Sequence, residues 1–266
     1  MTPSGAAATD MRNAMLRRVN LPGLAVIAIA IALWQLYAST IGARFDSIAS
    51  STAILAAIKG AFADGVLLEQ LAHTASIALA GWIIASVLGF SIGLLIGISN
   101  TAWTYSSASL DVLRSIPSIS FVPVAVLWFG FSVTTELIIV VYVSLWPMLL
   151  GTSSSVHSAP AGLVDVSRVF HLSRAATLFK ITLPAALPSI LVSLRLSLTL
   201  AIALAVVAEM IGNPQGLGFA MVSAQQAMRP DRAFAYLVVI GVLGWAANAL
   251  FIAIGRALTR GYEKAL

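Results

Sequence analysis

TASIALAGWIIASVLGFSIGLLIGI, residues 74–98, contains no aspartate, glutamate, lysine or arginine and sits inside an uncharged run over 70–110. A helix needs roughly 20 apolar residues to cross about 30 Å of hydrocarbon, so this stretch reads as a membrane span. Gly81, Ala85, Gly89, Gly93 and Gly97 recur at every fourth position. A small-residue stripe of this kind lets a second helix approach closely, because helices in lipid gain from packing. That helix can belong to the same chain or to a second copy, and the stripe does not say which.

Further uncharged runs cover 19–43, 115–135, 137–164, 196–208 and 233–255. Within the six runs the pattern predicts helices at about 22–41, 74–98, 108–130, 135–152, 186–211 and 233–255. Period-two alternation is absent, which argues against a membrane barrel; helices are the other way to satisfy backbone polar groups in lipid. The fold class is therefore all-α, a polytopic helical membrane protein.

Composition agrees. Of the 266 residues 59% are hydrophobic and 9% charged, and mean hydropathy is +0.97. A soluble domain carries roughly a quarter charged residues. No cysteine is present, which removes disulfides, thiolate metal sites and cysteine nucleophiles. The net charge of +5 is spread in small groups between apolar runs, so no nucleic-acid partner is expected.

Lysine and arginine set the orientation. With the N-terminus inside, Arg12, Arg17, Arg18, Arg168, Arg174, Lys180, Arg256, Arg260 and Lys264 are inner, nine in all. Four are outer: Arg44, Lys59, Arg229 and Arg232. Both termini are thus expected in the cytoplasm. The first span resembles a signal peptide superficially, but Leu21 to Tyr37 exceeds the roughly 7–15 residues of a signal core and lacks a clean cleavage motif, so a retained helix is expected.

Between the fourth and fifth spans lies SSSVHSAPAGLVDVSRVFHLSRAATLFKITLP, residues 153–184, longer than a minimal connection. Leu163, Val166 and Phe170 share one face of a short helix, with Asp165 and Arg168 on another. Ser173 can cap a second short helix, and Pro184 suits the first turn of the next span. Taken alone, the pair can also be an amphipathic piece lying in the membrane interface.

This loop resembles that of permeases of ATP-binding-cassette importers, whose pattern is EAA, three residues, Gly, nine residues, then I-x-L-P. Asp165-Val166-Ser167 stands at the EAA place, His171 at the Gly place and Ile181-Thr182-Leu183-Pro184 at the close, with the spacing intact. Leu113-Arg114-Ser115-Ile116-Pro117, Leu127-Trp128-Phe129-Gly130, Ala208-Glu209-Met210 and Gly216-Leu217-Gly218 are similar to the sulfonate, taurine and nitrate branch. The similarity covers roughly 70–260. Two departures stand out. Asp165 keeps the charge of Glu on a shorter arm. His171 replaces a Gly that readily adopts a left-handed turn, a region histidine visits more than most residues, so a kept turn with a changed contact surface is expected.

The resemblance implies a type I importer permease in a bacterial inner membrane. It divides the chain into an inner tail (1–20), a first helix with an outer segment (21–69), a core (70–260) with a coupling loop (153–183), and an inner tail (261–266). Asp165, Ser167, Arg168, Phe170, His171 and Leu172 would seat in a cytoplasmic ATPase dimer. A second copy of the chain and an extracytoplasmic solute-binding protein would complete the assembly, with Arg229, Asp231 and Arg232 offered to the binding protein; an ordinary solvated loop would look the same. The three lysines, Lys59, Lys180 and Lys264, follow no phosphate loop, so the chain is no ATPase, needs no cofactor of its own, and leaves ATP and Mg to the partner.

The third span, Arg114 to Gly130, is interrupted by Pro117 and Pro123. Broken helices commonly line transporter cavities, so Ser118, Ser120 and Trp128 are placed near a translocation path, the alternative being a kink absorbed by packing. Arg114 and Arg195 either attract an anion or snorkel to the inner face. Glu209, near the outer end of its helix, fits a gate or an interhelical hydrogen bond equally. His73 has no second ligand at metal spacing and reads as interfacial, so no metal site is expected. Two other functions share this apolar composition. An ion-coupled transporter should carry ionisable residues at mid-membrane and an internal repeat, and an intramembrane enzyme should carry HExxH or GxSxG; neither set of features stands out.

Overall fold

The computed structural model describes residues 21–160, 162, 167 and 169–259. Among them every regular element is helical: α1 (Leu21–Ser39), α2 (Ser51–Ala63), α3 (Val66–Gly97), α4 (Asn100–Ser115), α5 (Val122–Phe129), α6 (Val133–His157), α7 (Arg174–Thr177), α8 (Leu183–Gly212), α9 (Gly216–Gln226) and α10 (Pro230–Thr259). Five helices are long and apolar enough to cross a membrane, six if the bent pair α4 and α5 counts as one span. The expected first span is α1, and the second, fourth, fifth and sixth are α3, α6, α8 and α10, each of the last four longer than the helix expected there.

The third span is not one kinked helix. α4 and α5 lie at 74° to each other. Ile116 is extended (φ −68°, ψ 121°) because it precedes Pro117, whose ring disfavours helix at that position. Pro123 contributes no break. It occupies the first turn of α5, where its missing N–H is no loss.

The connections after the first and fifth expected spans contain α2 and α9. Ser50 caps α2 by accepting from the Ala53 amide at 3.3 Å. On the other side of the bundle, Ser173 caps α7 through the Ala176 amide. From there a π-helical turn, Leu178–Thr182, runs directly into α8.

α3, α6 and α8 make the core. Ile77 and Ala78 of α3 pack with Val140 of α6 and Leu198, Ala201, Ile202 and Ala205 of α8. The small-residue stripe faces α6 of the same chain: Gly81 opposes Val140, Gly89 opposes Met148, and Gly93 and Gly97 lie against the backbone of Leu149 and Ser153. Cross-links are sparse and specific. Ser197 donates to the Ser144 carbonyl at 2.7 Å, and Trp82 Nε1 donates to the Leu194 carbonyl at 3.0 Å.

α6 begins at Ser132, whose hydroxyl accepts from the Thr135 amide at 3.4 Å while Thr135 donates back to the Gly130 carbonyl at 2.7 Å. Ser132→Ala should cost about 1 kcal/mol. A thermal melt of the detergent-solubilised chain should show a midpoint lower by roughly 2–4 °C.

Candidate functional site

Two polar features stand out against the apolar bundle. The first lies where α3 and α6 begin and α8 ends. His73, two turns into α3, puts Nε2 at 2.9 Å from Glu136 Oε2 in the first turn of α6. Glu209, in the last turn of α8, accepts from the Gly218 amide at 2.8 Å. Asn213 Nδ2 stands 3.5 Å from His73 Nε2. Glu136 and Glu209 are fully buried.

The start of α9 completes this feature. Its first amides point into the cluster: Gly216 N–H donates to Gln70 Oε1, Leu217 N–H to Thr74 Oγ1 at 2.9 Å, and Gly218 N–H to Glu209. Gly216 has φ +92°, and a Cβ there would run into the Glu209 carboxylate. Glycine is thus required twice over, by conformation and by space. Of the two roles open to Glu209, the hydrogen bond is the one present, made to α9. No second ligand stands at metal spacing beside His73 in the sequence, but the fold brings it partners from elsewhere. Its partners are Glu136 on α6 and Asn213 after α8, brought to it by the fold from distant parts of the chain. The overlooked signal was that three ionisable residues lie near span ends on the same side of the bundle.

The second feature is an open cavity of about 520 Å³ between the α4–α5 break and the facing sides of α6 and α8. Its walls are mostly apolar and include Val143, Trp146, Leu196, Leu200 and Val207, with Arg114 and Ser118 as polar lining. Arg114 Nε pairs with Asp111 at 3.0 Å, both side chains more than half exposed. Ser120 is exposed outside the lining, and Trp128 is 74% exposed against Phe129. Arg195 turns to α10, donating from Nε to Asn248 Oδ1 at 2.6 Å. Of the residues considered for a path, Arg114 and Ser118 line this cavity, while Ser120, Trp128, Arg195 and Glu209 do not.

Asp165 and Arg168 fall outside the described residues. Ser167 is buried, and its carbonyl accepts from the Leu172 amide at 2.9 Å. His171 has φ +49°, the left-handed conformation a glycine would take. Val169, Phe170 and Phe179 are largely exposed. On the cluster's side, Arg229 makes a two-point pair with Asp231 at 3.2 and 3.1 Å beside a groove that also includes Asp46, Met228 and Phe234. Arg232 does not line that groove.

Comparison with known proteins agrees with this architecture. A crystal structure of an amino acid ABC transporter superposes with a TM-score of 0.60 at 16% identity, covering 78% of this chain and 97% of that one. Inward-facing MetNI methionine ABC transporter structures give 0.56 at 16% identity, covering 70% and 94%. At such identities the likeness establishes the fold. In sequence, the chain is 29% identical over 224 residues to the Bacillus subtilis protein named for aliphatic sulfonates transport, the permease SsuC, covering 84% of this chain and 81% of that one. It is 26% identical to the nitrate import permease protein NrtB of Leptolyngbya laminosa (72% and 69% covered) and 26% identical to the taurine transport system permease protein TauC of Escherichia coli (74% and 72%). The model of the binding-protein-dependent transport system inner membrane component family matches residues 85–264. A helical bundle with a broken third span, the loop pattern before α8 and a family match over two-thirds of the length together establish that this chain belongs to the inner membrane permease components of binding-protein-dependent ABC transporters.

Proposed function

We propose that two copies of this chain form the membrane path of an ATP-driven importer for a small anion of the sulfonate, taurine or nitrate kind. The relatives named for those solutes support the class. The observation that carries the anionic reading is the cavity beside the α4–α5 break, where Arg114 is the charged group on a mostly apolar wall. The apolar walls offer an anion no other charged group, so the half-exposed guanidinium is what would hold it there.

Energy comes from a separate ATPase dimer, since the chain has no phosphate loop of its own. The excess of lysine and arginine on one side of the membrane supports an orientation with both termini and the 153–183 segment on the cytoplasmic face of a bacterial inner membrane. The buried His73 cluster and the Arg229–Asp231 rim then face the outside, where a solute-binding protein docks. ATP-driven closure of the ATPase dimer would push the coupling segment and rock the helices between two states, a transition that needs differential binding to each.

Reconstitution of the chain with its ATPase and binding protein in vesicles tests this. Uptake of labelled taurine, alkanesulfonate or nitrate should require ATP inside the ATPase compartment. Uptake without ATP and without an ATPase would establish the ion-coupled alternative instead. A narrower expectation concerns Phe170, 72% exposed beside the left-handed His171. Phe170→Asp should lower solute-stimulated ATP hydrolysis at least tenfold while membrane insertion, checked by protease protection, stays normal.

A further inference from the structure

We propose that His73, Glu136 and Glu209 bind one divalent transition-metal ion, of the zinc or manganese class, which ties α3, α6 and α8 together at one end of the bundle. One ligand atom from each residue lies within 4.8 Å of the other two. The glutamate side chains are 0% and 1% exposed, and each retains one carboxylate oxygen, Oε1, without a hydrogen-bond partner. Buried polar atoms are nearly always satisfied, and an orphaned carboxylate oxygen costs more than most. Two such oxygens beside an imidazole form a donor set in search of a cation.

The charge balance selects the occupant. As metal ligands the two carboxylates would be ionised and the imidazole neutral, a sum of −2. Among the described residues no lysine or arginine forms an ion pair with either glutamate. A divalent ion brings the sum to zero, whereas a monovalent ion leaves a buried negative charge. Donor chemistry narrows it further. One imidazole nitrogen with two carboxylate oxygens and no thiolate suits zinc, manganese or a similar borderline ion better than calcium, which favours six to eight oxygens.

Geometry and support fit the same reading. Metal–ligand bonds of about 2.0–2.2 Å put tetrahedral ligand atoms roughly 3.3 Å apart. The His73–Glu136 pair at 2.9 Å is already near that spacing, and the remaining separations, within 4.8 Å, would have to shorten when the ion binds. Glu209 Oε2 is fixed by the Gly218 amide at 2.8 Å, which orients its free oxygen as a supporting shell does in metal sites. Asn213, whose Nδ2 stands 3.5 Å from His73 Nε2, is placed to donate from its amide to a water bound at the ion.

The test needs no transport and is independent of the solute. The full chain in detergent, with the subunits that copurify, is stripped with chelator, reloaded with zinc or manganese, gel-filtered and analysed for metal. About one ion per chain is expected. His73→Gln, Glu136→Gln and Glu209→Gln should each lower occupancy at least tenfold at a concentration that saturates the wild type. Zinc absorption spectroscopy on the unmutated chain guards against variants that fail to fold, and should show imidazole nitrogen with carboxylate oxygens. A folded wild type that retains neither metal overturns the proposal, as the cluster is then held by shared protons alone. Retention undiminished in all three variants, or a spectrum without imidazole, overturns it equally.

Discussion

Gly93→Leu should leave almost no folded chain in the membrane. A Cβ at residue 93 would stand 2.9 Å from Thr152 Cβ and 3.2 Å from the Ser153 amide nitrogen, and would meet the Leu149 carbonyl closer still. Two of those three neighbours are backbone atoms of α6, which no rotamer change can move. Overpacking a core costs about 1–3 kcal/mol when side chains can adjust. Here α3 and α6 must separate along a seam that also holds Gly81, Gly89 and Gly97, so the cost exceeds that range and approaches the whole stability of a typical domain. Gly60 is the control, helical in α2 with nothing within 4 Å of an added Cβ. Gly60→Leu should accumulate and gel-filter like the wild type. Equal recovery of both variants would show that the α3–α6 contact is not what holds the bundle.

That seam also shows what could be read in advance and what could not. The repeat of Gly81, Ala85, Gly89, Gly93 and Gly97 announced a close helix contact, because only small side chains every fourth residue leave a groove for another backbone. It carried no information on the partner, since α6 and a second copy would select the same residues. Uncharged runs located α1, α3, α6, α8 and α10 for a similarly local reason: lipid imposes length and apolarity on each span separately. α2 and α9 escaped because neither is long enough to cross the bilayer. α9 also opens with Gly216-Leu217-Gly218 after Asn213-Pro214, a composition that reads as a turn. Those glycines are there so that three amides can approach Gln70, Thr74 and Glu209.

The buried cluster was illegible for a different reason. His73 and Glu136 are 63 positions apart, and Glu209 lies on yet another helix. A search by spacing finds ligands that share an element, as in a zinc-binding helix, and fails when each helix supplies one. Pro123 shows the converse error. Its type suggested a break, but a proline in the first helical turn is permitted, and only the extended residue before Pro117 bends the span. At His171 the local rule sufficed: a position where the family pattern has glycine takes φ +49°, which histidine tolerates.

Arg114→Glu should lower ATP-driven anion uptake about a hundredfold or more, with ATPase assembly intact. A unit charge about 4 Å from an anion is worth roughly 4 kcal/mol at an effective dielectric near 20. Arg114 is 55% exposed, so screening reduces this to about 1–2 kcal/mol, near tenfold for simple loss of charge. Reversal adds repulsion of similar size. Arg114→Lys should retain much of the uptake, because attraction at the cavity wall needs a positive charge more than a planar fork. The neighbouring Asp111 distinguishes this role from a structural one. Its pair with Arg114 is exposed on both sides, a contact worth about 0–1 kcal/mol, so the guanidinium is free to turn toward a solute. Asp111→Asn should therefore leave uptake unchanged or raise it. If Asp111→Asn were as damaging as Arg114→Glu, the arginine would be holding the end of α4 in place, and the positive charge in the cavity would be incidental to the anion.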